Sequence, residues 1–113
     1  MRGSEEVKNW MNMFRWIVKL IRDEYGIAES VLTRTANIEK ELSLSTEQVE
    51  RILEYIQEGF GVKFPAGTLD ELVRLEELCL LASWLAGYYK QPEFLGASYV
   101  ASAAALNPRA KAA

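Results

Sequence analysis

Hydrophobic positions recur at steps of three and four residues in several stretches of this chain, which is the spacing of one face of an α-helix. The first stretch predicts a helix over residues 5–25, with Ser4 as its N-cap and Gly26 just after its end. Its main apolar stripe consists of Val7, Trp10, Met11, Phe14, Ile17, Val18, Ile21 and Tyr25. A second apolar line runs beside that stripe and consists of Met13, Trp16 and Leu20. The apolar arc of this helix is therefore wider than a surface helix requires.

A capping box marks the start of the second predicted helix, after a long connection over residues 26–44. In Ser45-Thr46-Glu47-Gln48 the serine oxygen can cap the first turn, and the glutamine can reach back to the serine N–H. We expect this helix to end at the glycines that precede Pro65. Its buried stripe is predicted to be Val49, Ile52, Leu53, Ile56 and Phe60. The opposite side, called the acidic face below, carries Glu47, Glu50, Glu54 and Glu58.

The C-terminal half of the chain predicts one longer helix and one weaker helix. The longer one is expected over residues 68–87, because Thr68-Leu69-Asp70-Glu71 forms another capping-box pattern before an apolar period. Its second half is apolar nearly all round, so it should be central or cover a partner. Pro92 suits the first position of the weaker, alanine-rich helix. We predict one all-α domain over residues 1–106, a small three-to-four-helix bundle with a long loop after helix one, and a flexible tail over residues 107–113.

The composition excludes several kinds of reaction centre. The chain has 113 residues, which is the size of one domain, and 50% of them are hydrophobic. It contains no histidine and a single cysteine, Cys79. Zinc sites of His and Cys, an internal disulfide, and the Ser-His-Asp and Cys-His nucleophile systems therefore cannot form. We predict that the protein is not an enzyme, that it holds no metal, and that Cys79 is a buried, inert thiol.

The charge distribution indicates a different class of ligand. Thirteen basic and sixteen acidic residues give a net charge of −3, unlike the basic surface of a nucleic-acid-binding protein. The acidic face is instead suited to steer a basic partner into place. The alternative is that this face is only solvated and paired with Arg51. No signal peptide and no apolar run long enough to span a bilayer are visible, so we expect a cytoplasmic protein.

The apolar surface also predicts association with another chain. Two apolar lines on helix one and an apolar helix three exceed what a chain of this size readily buries by itself. We therefore expect a protein partner or a homodimer. The predicted contact residues are those of the acidic face together with Met13, Trp16, Leu20, Trp84 and Tyr88.

One segment resembles a known family. Residues 38–65 read IEKELSLSTEQVERILEYIQEGFGVKFP, and this string is similar to the middle of an acyl carrier protein. In that family a long first loop leads into an acidic helix II, and a Phe-Gly-Val-x-Ile-Pro-like exit follows. Here residues 42–46 resemble the Leu-Gly-x-Asp-Ser approach, and residues 60–65 resemble the exit. The resemblance implies a helical bundle whose acidic helix II docks partner enzymes.

The resemblance also implies a site for a prosthetic group. The family carries phosphopantetheine on the serine of an Asp-Ser-Leu motif at the start of helix II, and this chain lacks that motif. Counting from Leu42 or from Phe60 aligns Thr46 with that serine, whereas counting from Val49 aligns Ser45 with it. Capping of helix two is the competing role for Ser45. Helix three also departs from the family, because one long period runs where a carrier protein has two short helices.

Three functional hypotheses follow. The preferred one is a non-enzymatic, carrier-like or adaptor module that binds a protein partner through apolar helix surfaces and the acidic face. The first alternative is a true acyl carrier that is phosphopantetheinylated at Ser45 or Thr46. The second alternative is a structural, homo-oligomeric helical bundle.

Overall fold

Four α-helices and two short 3-10 turns make up the regular structure of the described part of the chain. The computed structural model describes residues 2–111, with side chains from residue 10 onward. The helices are α1 (Arg2–Tyr25), α2 (Thr46–Phe60), α3 (Leu75–Leu85) and α4 (Ala97–Leu106). Short 3-10 turns occur at Glu29–Val31 and Thr68–Glu71, and within the described residues there is no strand, only an isolated bridge between Asn37 and Arg74. The prediction of a small all-α bundle with a long loop after helix one is confirmed.

Helix α1 buries most of the predicted main stripe, but Met13 from the second apolar line takes the place of Met11 in the core. Met13, Ile17 and Ile21 have no exposed surface, whereas Met11, assigned to the main stripe, is 41% exposed. The buried face is therefore rotated towards the second apolar line, because α1 packs chiefly against α3 while Trp16 packs on Phe60. Met13 belongs to the core, which corrects its prediction as a partner contact. The predicted cap Ser4 and stripe residue Val7 lie outside the described side chains.

Helix α2 has the ends that its sequence predicts. Ser45 Oγ accepts a hydrogen bond from the Gln48 N–H at 3.2 Å, and Gln48 Oε1 accepts one from the Ser45 N–H at 2.9 Å. These two bonds are the reciprocal capping box. At the other end Gly61 adopts φ of 67°, a left-handed conformation that glycine adopts without steric cost. Residues adjacent in sequence therefore supply the N-cap and the C-cap of this helix.

The predicted third helix is shorter than expected, because its first seven residues are not α-helical. Thr68 does not cap an α-helix; its hydroxyl donates to the Pro65 carbonyl at 2.6 Å and also pairs with the Tyr99 hydroxyl at 2.7 Å. The chain then runs extended, and Ile38 N–H donates to the Val73 carbonyl at 2.9 Å. The N-terminal end of α3 is stabilised by the Glu77 carboxylate, which accepts hydrogen bonds from the N–H groups of Val73 and Arg74. Bonds to the distant 36–38 segment therefore override the local capping pattern.

Helix α3 is the centre of the bundle, and the chain covers it without help from a partner. Its buried residues are Leu75, Leu78, Cys79, Leu81, Ala82, Ser83, Trp84 and Leu85. Trp84 is 1% exposed, which corrects its prediction as a partner contact. The fourth helix also begins later than the predicted Pro92, at Ala97, and the N–H of Gly96, the residue before it, donates to Glu71 Oε1 at 2.8 Å.

The segment after α4 packs onto the bundle rather than extending as the predicted flexible tail. Asn107 is only 4% exposed, and its side chain bonds to the N–H and the carbonyl of Lys63, both at 2.8 Å. The Trp84 indole donates to the carbonyl of Lys111 at 2.6 Å. We call residues 107–111 the C-terminal clasp. The remainder of the predicted tail, residues 112–113, lies outside the described residues. Among the described helices, none combines the length and the apolar character needed to cross a bilayer.

The burial pattern of α1 predicts different results for two methionines that are two positions apart and lie on different faces of the helix. Replacing the fully buried Met13 by alanine should lower the free energy of unfolding by about 2–5 kcal/mol, because it leaves a cavity. Replacing the exposed Met11 by alanine should change it by less than about 0.5 kcal/mol. Urea unfolding followed by circular dichroism measures both. Equal losses in the two variants would contradict the orientation of α1.

Candidate functional site

The acidic face lies on the outer side of α2. Glu47, Glu50, Glu54 and Glu58 are all exposed, and the opposite side of the helix is buried. None of the four forms an ion pair with a described residue; the ion pairs in the described part join Arg22 to Asp23 and Glu29, and Arg34 to Glu76. These carboxylates are thus available to a ligand.

Arg51, the neighbouring basic residue on α2, does not form an ion pair with the glutamates of the acidic face. Its guanidinium carbon lies 5.6 Å from the centre of the Tyr55 ring. Interaction with the Tyr55 hydroxyl raises the pKa of Arg51, and Glu54 adds a smaller electrostatic contribution. The predicted alternative, a face neutralised by Arg51, therefore lacks a direct carboxylate contact in the structure.

A groove runs along the acidic face on the side of the loop that follows α2. Its volume is about 510 Å³. Glu50, Glu54 and Asp70 contribute carboxylates to its lining, and Leu53, Pro65 and Leu69 are among its apolar residues. Asp70 is not among the site residues predicted from the sequence, because the Thr68 pattern indicates a helix start at that point. The turn through Gly67, with φ of 87°, brings Asp70 to the groove instead.

A cluster of aromatic rings follows the C-terminal end of the acidic face. The Trp16 and Phe60 ring centres are 4.9 Å apart in an edge-on arrangement, and those of Phe60 and Tyr88 are 6.3 Å apart. Trp16 also lies against Gly59, where an added Cβ would come within 2.9 Å of the indole. All three rings are half-buried. Leu20, which follows Trp16 by four residues on α1, is half-buried as well. Trp16, Leu20 and Tyr88 thus keep the partial exposure that a partner contact requires.

A second cleft lies at the N-terminal end of α2. It has a volume of about 490 Å³, and its lining includes Ser45, Thr46 and Lys40 together with the apolar residues Leu44 and Leu72. Both hydroxyl-bearing residues are exposed. Ser45 accepts the capping bond, and as a hydroxyl it keeps its own hydrogen free to donate. The structure therefore shows Ser45 as a cap that solvent can also reach.

Cys79 is the most strongly perturbed titratable group, and it is enclosed by the core. It has no exposed surface, and burial raises the pKa of its thiol far above the usual range. A neutral, buried thiol is a poor nucleophile. Among the described residues, no three potential metal ligands come together. The surface carboxylates, the two clefts beside α2 and the aromatic cluster are therefore among the groups that the described residues offer to a ligand.

Comparison with known proteins gives no match to a family model, to a curated protein or to a solved structure. The resemblance to acyl carrier proteins consequently rests on the pattern of residues 38–65 alone.

The capping role of Ser45 predicts a specific pattern of stability. Ser45→Ala should lower the free energy of unfolding by about 1 kcal/mol, because the Gln48 N–H loses its acceptor. Ser45→Asp should recover most of that loss, since a carboxylate caps the same N–H and favours the helix N-terminus. Thermal unfolding measures both variants, with Ser43→Ala as the control outside the capping box. A neutral Ser45→Ala variant would contradict the capping role.

Proposed function

We propose that this protein is a non-enzymatic docking module, whose acidic face binds a basic segment of a partner protein. The observation that supports it most directly is the row of four exposed glutamates without ion-pair partners among the described residues. The adjacent groove adds the carboxylate of Asp70 and an apolar floor. Carboxylates attract cationic side chains, and an apolar floor suits the methylene stems of lysine and arginine.

The spacing of the glutamates suggests the form of the partner. Glu50, Glu54 and Glu58 follow one another at four-residue steps, so they are separated by about 6 Å along the helix axis. Every second residue of an extended chain advances by about 6.5 Å. An extended segment with a lysine or arginine at alternate positions therefore matches this row in charge and in repeat.

The aromatic cluster extends the proposed contact beyond α2. Trp16, Phe60 and Tyr88 are half-buried where the acidic face ends. Aromatic rings at such a boundary provide contact area at low conformational cost. An apolar residue after the basic repeat would pack there. This arrangement replaces the sequence-based expectation of contacts from α3, since Trp84 is enclosed by the chain itself.

Charge reversal on the acidic face tests the docking function. The double variant Glu50→Lys/Glu54→Lys should bind a fluorescent Lys-Ala-Lys-Ala-Lys-Leu peptide at least about tenfold more weakly than the unaltered chain at low salt. The reason is that two attractive contacts become repulsive. The matched control is Glu39→Lys/Glu93→Lys, which makes the same change in net charge at exposed positions outside the groove. Fluorescence anisotropy at two salt concentrations measures the affinities.

The control separates the surface from the net charge. Equal weakening in both double variants would show a general charge effect and contradict docking at the acidic face. Peptide binding that does not respond to salt would also contradict it, since exposed charge pairs are screened over about 10 Å at 0.1 M salt.

An acyl carrier is the second candidate function, and the exposed hydroxyls beside the N-terminal cleft favour it. In this case phosphopantetheine would be attached at Ser45 or Thr46, the two positions that the family resemblance implies. The hydroxyl oxygen would attack the phosphorus of coenzyme A that bears the pantetheine arm, and adenosine 3′,5′-bisphosphate would leave.

Mass spectrometry after incubation with coenzyme A and a broad-specificity phosphopantetheinyl transferase tests this candidate. A carrier should gain the mass of one phosphopantetheine group. Either Ser45→Ala or Thr46→Ala should abolish the gain and so identify the position. An unchanged mass, with an authentic carrier protein modified in a parallel reaction, would contradict the carrier function.

A further inference from the structure

The C-terminal clasp is held by polar contacts to elements that are distant in sequence. The Asn107 amide bridges the N–H and carbonyl groups of Lys63 and also donates to Ala103. The Arg109 guanidinium donates to the carbonyls of Phe60 and Gly61. These two residues therefore join the end of the chain to the end of α2.

Arg109 occupies an electrostatically distinct place. The last carbonyl groups of a helix lack intrahelical partners and form the negative end of the helix dipole. Phe60 is the last residue of α2, and Glu58, the final carboxylate of the acidic face, lies two residues before it. The clasp thus places its own cation at the end of the surface to which we assign a basic partner.

The bundle is shaped to receive this segment closely. Gly87 has φ of 83°, and a Cβ at this position would lie 2.9 Å from the Arg109 carbonyl oxygen. The Trp84 indole, otherwise buried in the core, donates to the Lys111 carbonyl. A side chain at residue 87 would exclude the clasp from its present position.

The clasp nevertheless contributes little apolar burial. Pro108, Arg109 and Lys111 are exposed, and Ala110 is half-buried. Asn107 is the one clasp residue that is fully buried, and its contacts are polar. Segments with few buried apolar contacts open at lower free energy than the core does. The clasp can therefore leave its position while the bundle remains folded.

We propose that the C-terminal clasp is an autoinhibitory contact, in which Arg109 occupies the carbonyl groups at the C-terminal end of α2, beyond the acidic face, and is displaced when a basic partner binds. This inference rests on the docking function proposed above. Opening removes Arg109 from the carbonyls of Phe60 and Gly61 and frees them for a lysine or arginine of the partner. Part of the partner's binding free energy is spent on opening, so the apparent affinity equals the intrinsic affinity multiplied by the open fraction.

Two substitutions in the full-length chain test the proposal. Asn107→Ala opens the clasp without changing the net charge, since it removes the bridge to Lys63. Arg109→Gln removes the guanidinium contacts, and Lys19→Gln is its control, an equal charge change at an exposed position on α1. The probe is the labelled Lys-Ala-Lys-Ala-Lys-Leu peptide, measured by fluorescence anisotropy.

The expected result is tighter binding to both clasp variants. Asn107→Ala should bind the probe at least about threefold more tightly than the unaltered chain, because the open fraction rises. Arg109→Gln should exceed its Lys19→Gln control by a similar factor. If Asn107→Ala does not fold by circular dichroism, the Arg109→Gln comparison carries the test. Clasp variants that bind no more tightly than the unaltered chain and the control would overturn autoinhibition.

A readout without the probe distinguishes this failure from a failure of the docking function. Trypsin can cleave the Arg109–Ala110 bond when the clasp is open, and the rate reports the open population. Asn107→Ala should speed this cleavage about tenfold. Loss of the hydrogen bonds to Lys63 should raise the equilibrium constant for clasp opening by that factor, which corresponds to about 1.4 kcal/mol. Equal rates in the two chains would overturn the clasp itself. Faster cleavage with no probe binding in any chain would instead refute the docking function, and autoinhibition with it.

Discussion

Helix α3 presents almost no polar surface to water, and the other elements are arranged to cover it. Eight of its eleven residues are buried, and the α1 contact is the most extensive that it makes. Burial of apolar area is the main favourable term in folding. The width of the apolar arc on α1 follows from the same constraint, since Met13 lies against the core instead of an outside partner. The high apolar content of the chain is therefore explained by the burial of a central helix.

Sequence reasoning succeeds here where local chemistry decides the structure. Ser45 and Gln48 cap each other, and Gly61 supplies a left-handed residue, so α2 could be predicted at both ends. It fails where distant residues decide. Thr68 has a capping pattern, yet its hydroxyl pairs with Tyr99, which is 31 residues away. Likewise, nothing near Asn107 in sequence indicates that Lys63 will be its partner.

The candidate site divides in the same way. The glutamates of the acidic face repeat along one helix, so their common side could be predicted from spacing alone. Asp70 joins them only through the turn at Gly67, and the half-buried state of Trp16 depends on its packing against Phe60. Spacing within a helix is thus readable in a sequence, whereas the neighbours of that helix depend on tertiary packing.

The two ends of α2 differ in how their free backbone groups are satisfied. Ser45, one residue before the helix, accepts a hydrogen bond from the Gln48 N–H at the first end, and this arrangement is local. Arg109 bonds the carbonyls at the second end, and it arrives from 48 residues further along the chain. A local cap is present whenever the helix is formed, but a distant one can leave without unwinding it. In the proposed docking module, a cation of the chain and a cation of a partner would therefore compete for the same carbonyl groups at the C-terminal end of α2.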